Sequence, residues 1–228
     1  LNQGRFQNSF VFRQGKRLPE LLAFSVFFWL VFEAYNFKLA NWNYVGVPFE
    51  EYLRWPGYFL AYATVLPGIL ETRTLLENLG VGMSTWGTSV SVSRGLLVRL
   101  ILVGGLMMVA PLVAPVLFFP LIWLGLIFIL DPILFLSSRR RHSLLDNFRA
   151  GDYALVVQLL LSGLICGILW ETWNYWAGSK WIYTIPHFDF LRIFEMPLLG
   201  YFGFPFFAVE SYLGWEVYKL LRGKIGSR

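Results

Sequence analysis

From Leu96 to Ser137 the chain runs 42 residues with Arg99 and Asp131 as its only charges. One helix of that length would measure about 63 Å, roughly twice the hydrocarbon thickness of a bilayer. The stretch must fold back on itself. Pro111 and Pro115 mark the turn, because proline has no N–H to donate and interrupts the helical ladder. Two spans follow, at about 96–113 and about 116–137. Only 14% of the 228 residues are charged, against about 25% in a soluble domain. That is too little to cover a surface facing water on all sides. With 57% hydrophobic residues and a mean hydropathy of +0.56, the chain reads as an all-α integral membrane protein.

The remaining apolar runs supply four more spans. Leu18 to Phe37 is the first and Pro56 to Leu76 the second. The fifth covers about 153–175 and the sixth about 196–221. Leu1 to Arg17 is polar and basic with no apolar core, so it does not read as a signal peptide. Six spans put the N-terminal tail, the 77–95 loop, the 138–152 loop and the C-terminal tail on one side. These segments hold most of the Lys and Arg, including Arg139-Arg140-Arg141. The 38–55 and 176–195 connections are aromatic and nearly charge-balanced. The positive-inside rule then makes both termini cytoplasmic. The net charge of +5 is loop bias, with no nucleic-acid partner implied. The setting expected is a bacterial cytoplasmic membrane.

The chain also repeats itself. Glu33 and Asn36 match Glu171 and Asn174 at an offset of 138 residues. Trp42, Tyr44, Phe49 and Glu50 match Trp181, Tyr183, Phe188 and Asp189 at 139, as do Tyr62, Glu71 and Glu77 with Tyr201, Glu210 and Glu216. Acids are scarce here, so their recurrence outweighs chance matching of aromatics. Spans one and two would then match spans five and six in a parallel repeat. The expected organisation is an N-terminal unit at 1–95, a central hairpin at 96–137 and a C-terminal unit at 138–228. Pro67 and Pro205 fall inside matched spans and would kink both helices.

The repeated acids are the candidate site. Glu33 with Asn36, and Glu171 with Asn174, stand one turn apart on one helical face, toward the outer end of their spans. Each pair leads into a Trp and a Tyr: Trp42 and Tyr44, or Trp181 and Tyr183, with Trp173 between Glu171 and Asn174 in the second. Glu71 and Glu210 lie in the cytoplasmic half. Carboxyl groups inside a bilayer cost several kcal/mol unless they face a bundle interior or cavity. Four roles remain open: structural stitching between helices, a site for an amphiphile or lipid headgroup, acid–base catalysis on an apolar substrate, and a proton or cation route.

Other groups offer less. Two separated histidines, His142 and His187, make no metal centre. The lone Cys166 forms no intramolecular disulfide and reads as a packed small residue. Arg139 to Arg141 set topology and touch anionic lipid. No phosphate loop, dinucleotide fingerprint or Ser-His-Asp arrangement is present. No cofactor is expected, though a bound lipid or carotenoid-like molecule suits the composition.

The run Leu169-Trp170-Glu171-Thr172-Trp173-Asn174-Tyr175-Trp176, with Lys180 to Pro186 and Phe194-Glu195-Met196-Pro197, resembles a group of bacterial multi-span membrane proteins of unassigned activity. A fainter similarity is to the lycopene-cyclase domain, which also uses duplicated three-span units and a proline-plus-acid motif. Glu195-Met196-Pro197 has acid and proline in the opposite order, and the paired acids after the proline are missing. No catalytic residue carries over. The expectation is a non-catalytic subunit of a larger membrane complex, contacting lipid or pigment through an aromatic, Glu-bearing crevice. Its partners would be membrane lipids and other membrane subunits. The alternative is an enzyme or carrier for an isoprenoid or lipid, with Glu33 and Glu171 at the site.

Overall fold

The computed structural model describes residues 9–83, 85–187 and 190–225. The matches expected for Phe188 and Asp189 lie outside the described residues, as do residues 1–8. The described chain is a helical bundle with two short strand pairs. Its helices are α1 (Phe10–Gln14), α2 (Leu18–Leu39), α3 (Glu51–Asn78), α4 (Arg94–Val113), α5 (Pro115–Phe118), α6 (Ile122–Phe135), α7 (Leu144–Ala150), α8 (Ala154–Trp176) and α9 (Gly203–Ile225). The strands are β1 (Trp42–Val45), β2 (Lys180–Tyr183), β3 (Arg192–Ile193) and β4 (Met196–Pro197).

Helix ends follow local chemistry. Pro19 sits in the first turn of α2, where its missing N–H costs nothing. Ser93 caps α4 by accepting from Leu96 N–H, and Ser143 caps α7 by accepting from Asp146 N–H. The break in the 96–137 stretch falls at Ala114, with φ −133° and ψ 77°. Ala114 precedes Pro115, whose ring excludes the helical conformation for the residue before it. Pro111 is held inside the last turn of α4.

Each expected apolar run is helical over most of its length. Four helical stretches are long and apolar enough to cross a membrane: Phe10–Leu39, Arg94–Val113, Pro115–Phe135 and Ala154–Trp176. At 28 and 23 residues α3 and α9 have the length, but they fall outside that set. Each carries acids and bases along it, among them Glu71, Arg73 and Glu77 on α3, and Glu210, Glu216 and Lys219 on α9.

Two expectations need correction. The last helix starts at Gly203, not near 196. The chain first forms β3 and β4, paired antiparallel, and then a 3₁₀ turn at Leu198–Phe202. Pro205 consequently lies in the first turn of α9, where it breaks no hydrogen bond, whereas Pro67 is interior to α3. The 38–55 and 176–195 connections are also more than interfacial loops. β1 and β2 pair antiparallel, Trp42 opposite Tyr183 and Tyr44 opposite Trp181.

Helix α2 packs on α3, α3 on α8, α8 on α9, α9 on α6, and α6 on α4. One close seam is between α8 and α9. A Cβ on Gly163 would run into the carbonyl oxygen of Phe204, and one on Gly167 into the Phe204 ring. Small residues four apart let the backbones approach this closely. One apolar cluster, including Leu21, Leu70, Leu134, Leu159 and Leu213, fills one half of the bundle. A second, including Phe28, Phe32, Trp42, Ile122 and Phe207, fills the other.

The two ends differ chemically. At one end the 85–90 and 148–153 segments pair, with Gly87 N–H to Gly151 O and Val90 N–H to Phe148 O, both 3.0 Å. Here Arg139, Lys219 and His142 surround the buried Glu216, and Arg222 meets Glu20 at 2.7 Å. At the other end lie β1 and β2. Gly163→Leu or Gly167→Leu should force α8 and α9 apart and cost about 1–3 kcal/mol. Thermal unfolding in detergent will read this as a lowered midpoint. Gly105→Leu, where a side chain meets open space, should leave the midpoint unchanged.

Candidate binding site

Each repeated acid–amide pair pins a strand to the helix before it. In the first, Asn36 Nδ2 donates to Trp42 O at 2.8 Å, and Asn36 Oδ1 accepts from Asn41 N at 2.8 Å and Trp42 N at 3.2 Å. In the second, Asn174 Nδ2 donates to Trp181 O and Trp181 N donates to Asn174 Oδ1, both at 2.9 Å. The amide thus serves as a stand-in for a strand backbone. The acid one turn earlier takes the side chains of that same strand. Trp42 Nε1 donates to Glu33 Oε1 at 3.1 Å and Tyr44 OH donates to it at 2.5 Å. Trp181 Nε1 donates to Glu171 Oε1 at 3.1 Å and Tyr183 OH at 2.7 Å.

The period-2 geometry of a strand explains the pattern. Residues i and i+2 point to one face, so Trp42 with Tyr44, and Trp181 with Tyr183, both reach the acid. Burial and the facing carboxylate raise the Tyr44 hydroxyl far above the usual phenol range, and Tyr183 likewise against Glu171. Both therefore stay protonated and remain donors.

The clusters diverge at one position. Trp29 Nε1 adds a third donor to Glu33 Oε1 at 2.8 Å. The corresponding residue before Glu171 is Gly167, which is given over to the contact with Phe204. Glu33 is half-buried and Glu171 is fully buried. Beyond the first cluster, Tyr62 OH donates to Tyr44 OH at 3.2 Å, extending the hydroxyl chain by one ring. The matched Tyr201 instead donates to Ile193 O at 2.9 Å.

A cavity of about 820 Å³ opens beside these clusters. Its walls come from α2, α3, the Phe119–Leu124 segment, α8, α9 and the β1–β2 pair. Trp42, Tyr44, Trp173, Asn174, Trp181 and Tyr183 line it. Glu33, Asn36 and Glu171 do not. They lie behind the wall, holding the aromatic rings that form it. Trp173 is also 64% exposed, so it faces outward at the rim. Glu71 and Glu210 are not on the wall either. Glu71 Oε2 accepts from Val11 N at 2.9 Å, tying α1 to α3. Glu210 is fully buried and accepts from Leu126 N at 3.1 Å.

Sequence reasoning missed several lining residues. Trp29, one turn before Glu33, carried a usable signal in its i, i+4 spacing. Trp123, Phe204 and Phe207 carried none, because one aromatic in an apolar run looks like any other. Among the described residues no group of three or more His, Cys, Asp or Glu side chains is placed to hold a metal ion.

No family model matches the chain, and no curated protein or solved structure matches it either.

Glu33→Gln and Glu171→Gln should each fold, because the amide oxygen still accepts from Trp and Tyr. Glu33→Leu and Glu171→Leu strand those donors and should cost about 1–3 kcal/mol each, read as lowered thermal midpoints in detergent. The tyrosines give a pH test. A phenol whose folded pKa is raised adds stability that is present below about pH 10 and is lost as pH rises further. Tyrosinate absorbance at 295 nm should therefore titrate identically up to about pH 10 in wild type and in a Tyr44→Phe, Tyr183→Phe variant.

Proposed function

We propose that the chain is a multi-pass membrane protein that holds an apolar amphiphile, a lipid or a pigment-like molecule, in the aromatic cavity. It serves as a non-catalytic accessory subunit of a larger membrane complex. The observation that carries the reading is the cavity itself. Its volume lies within the roughly 300–1,000 Å³ range of ligand sites, and its wall is mostly apolar, rich in aromatic rings, with a few polar groups. The acids favour binding over chemistry. Each accepts two or three donors on one oxygen and lies behind the wall rather than on it.

In this reading α3 and α9 also cross the membrane, giving six spans, and the duplicated unit is α2–α3 with α8–α9. The matched hydrogen bonds of Glu33–Asn36 and Glu171–Asn174 support the duplication. The clustering of Arg139, Lys219 and Arg222 at the end away from β1–β2 supports cytoplasmic termini by the positive-inside rule. The membrane is the bacterial cytoplasmic one.

A second reading rests on a different observation. The chain Tyr62–Tyr44–Glu33 links two cavity-lining hydroxyls to a carboxylate. In an enzyme or carrier acting on an isoprenoid or lipid, it would pass a proton to or from a bound molecule. Mass spectrometry of organic extracts from the purified protein tests both. A hydrophobic molecule should co-purify near one per chain. Ala61→Trp, which fills the cavity, should lower its recovery at least about tenfold. Full recovery with Ala61→Trp would remove the cavity as the binding site. Loss of cellular function in Glu33→Gln with ligand still bound would favour the second reading.

A further inference from the structure

Charge is distributed unevenly around the cavity. Its deep wall is aromatic and aliphatic: Trp29, Val65, Trp123, Phe204 and Phe207. Among the described residues, the charged side chains that line it are Arg54 and Lys180, both cations and both at the β1–β2 end. No carboxylate joins them on the wall. Arg54 sits one turn into α3, and Lys180 opens β2.

The two cations differ in how they are held. Lys180 Nζ lies 2.5 Å from Glu195 Oε1, with both side chains mostly buried, so that charge is neutralised locally. Arg54 Nη2 lies 3.4 Å from Glu51 Oε1, in a pair one turn apart on the same helix. Glu51 is 76% exposed at its side chain and Arg54 only 27%. A contact this long to a solvated partner holds the guanidinium only weakly. Most of the guanidinium fork therefore remains available at the cavity rim. A guanidinium pairs with carboxylate and phosphate through two parallel hydrogen bonds.

Resting on the cavity reading above, we infer that the molecule taken up is an amphiphile with an anionic head, a carboxylate or a phosphate monoester. Arg54 anchors the head at the outer rim, and the apolar tail lies along Trp123, Phe204 and Phe207. A neutral pigment or alcohol of equal length would fill the same space and leave the guanidinium with only its long contact to Glu51.

Brominated chains quench tryptophan on contact, and Trp29, Trp42, Trp123 and Trp170 line the cavity. The full-length protein in a non-ionic detergent is titrated with 9,10-dibromostearate and with the matching dibromostearyl alcohol. Oleate and oleyl phosphate then compete for the site, and the stronger competitor tells carboxylate from phosphate. The carboxylate should bind at least about tenfold tighter than the alcohol. Arg54→Gln should shrink that ratio below about threefold, and Arg54→Lys should restore part of it. Equal binding of acid and alcohol, with both lost in Ala61→Trp, overturns the anionic head and leaves the cavity reading standing. An unchanged ratio in Arg54→Gln also overturns the assignment. Quenching by neither probe overturns both readings. If Arg54→Gln fails to fold, the wild-type ratio decides alone.

Discussion

A helix that ends beside an apolar cavity leaves its last carbonyls and the strand that follows in need of hydrogen-bond partners. The chain meets this constraint with one device used twice: an amide on the last turn for the strand backbone, and an acid one turn earlier for the strand side chains. With both strands held in place, β1 and β2 meet each other. The roof of the cavity exists because these latches hold Trp42, Tyr44, Trp181 and Tyr183 inward.

The difference between the latches shapes what lies beneath. Trp29 widens the first cluster and Gly167 narrows the second. The indole keeps α2 lined with large rings: Trp29 meets Tyr62 with centroids 6.0 Å apart, and Phe32 stacks on Trp123 at 5.1 Å. The glycine lets α9 approach α8 until Phe204 fills the gap. One half of the bundle is closed by backbone contact and the other is built from rings. A cavity beside the junction follows from this inequality, because equal side chains in both halves would pack to the same depth.

The opposite end solves a different problem. Glu216 is 4% exposed and is surrounded by Arg139, Lys219 and His142. Burial pulls His142 below the usual imidazole range even with Glu216 beside it, since the neighbouring cations also oppose a further positive charge. The acid ties the loop after α6 to the last turns of α9. Among the described residues, most carboxylates fasten one segment to another, and the cavity wall is left mainly to apolar side chains.

The sequence by itself determined which apolar runs form the long helices, because an apolar run long enough to bury itself is a local property. It placed the break near Pro115, since proline acts on the residue beside it. It also picked out Glu33, Asn36, Glu171 and Asn174, because polar groups in a charge-poor chain stand out. Only the tertiary structure decided that these groups lie behind the cavity wall and that Arg54 stands at its rim. The same holds for the late start of the last helix, at Gly203. Each depends on residues far apart in sequence coming into contact, as Tyr44 does with Trp181. A cavity is the volume that distant surfaces fail to fill, and no single stretch of chain encodes it.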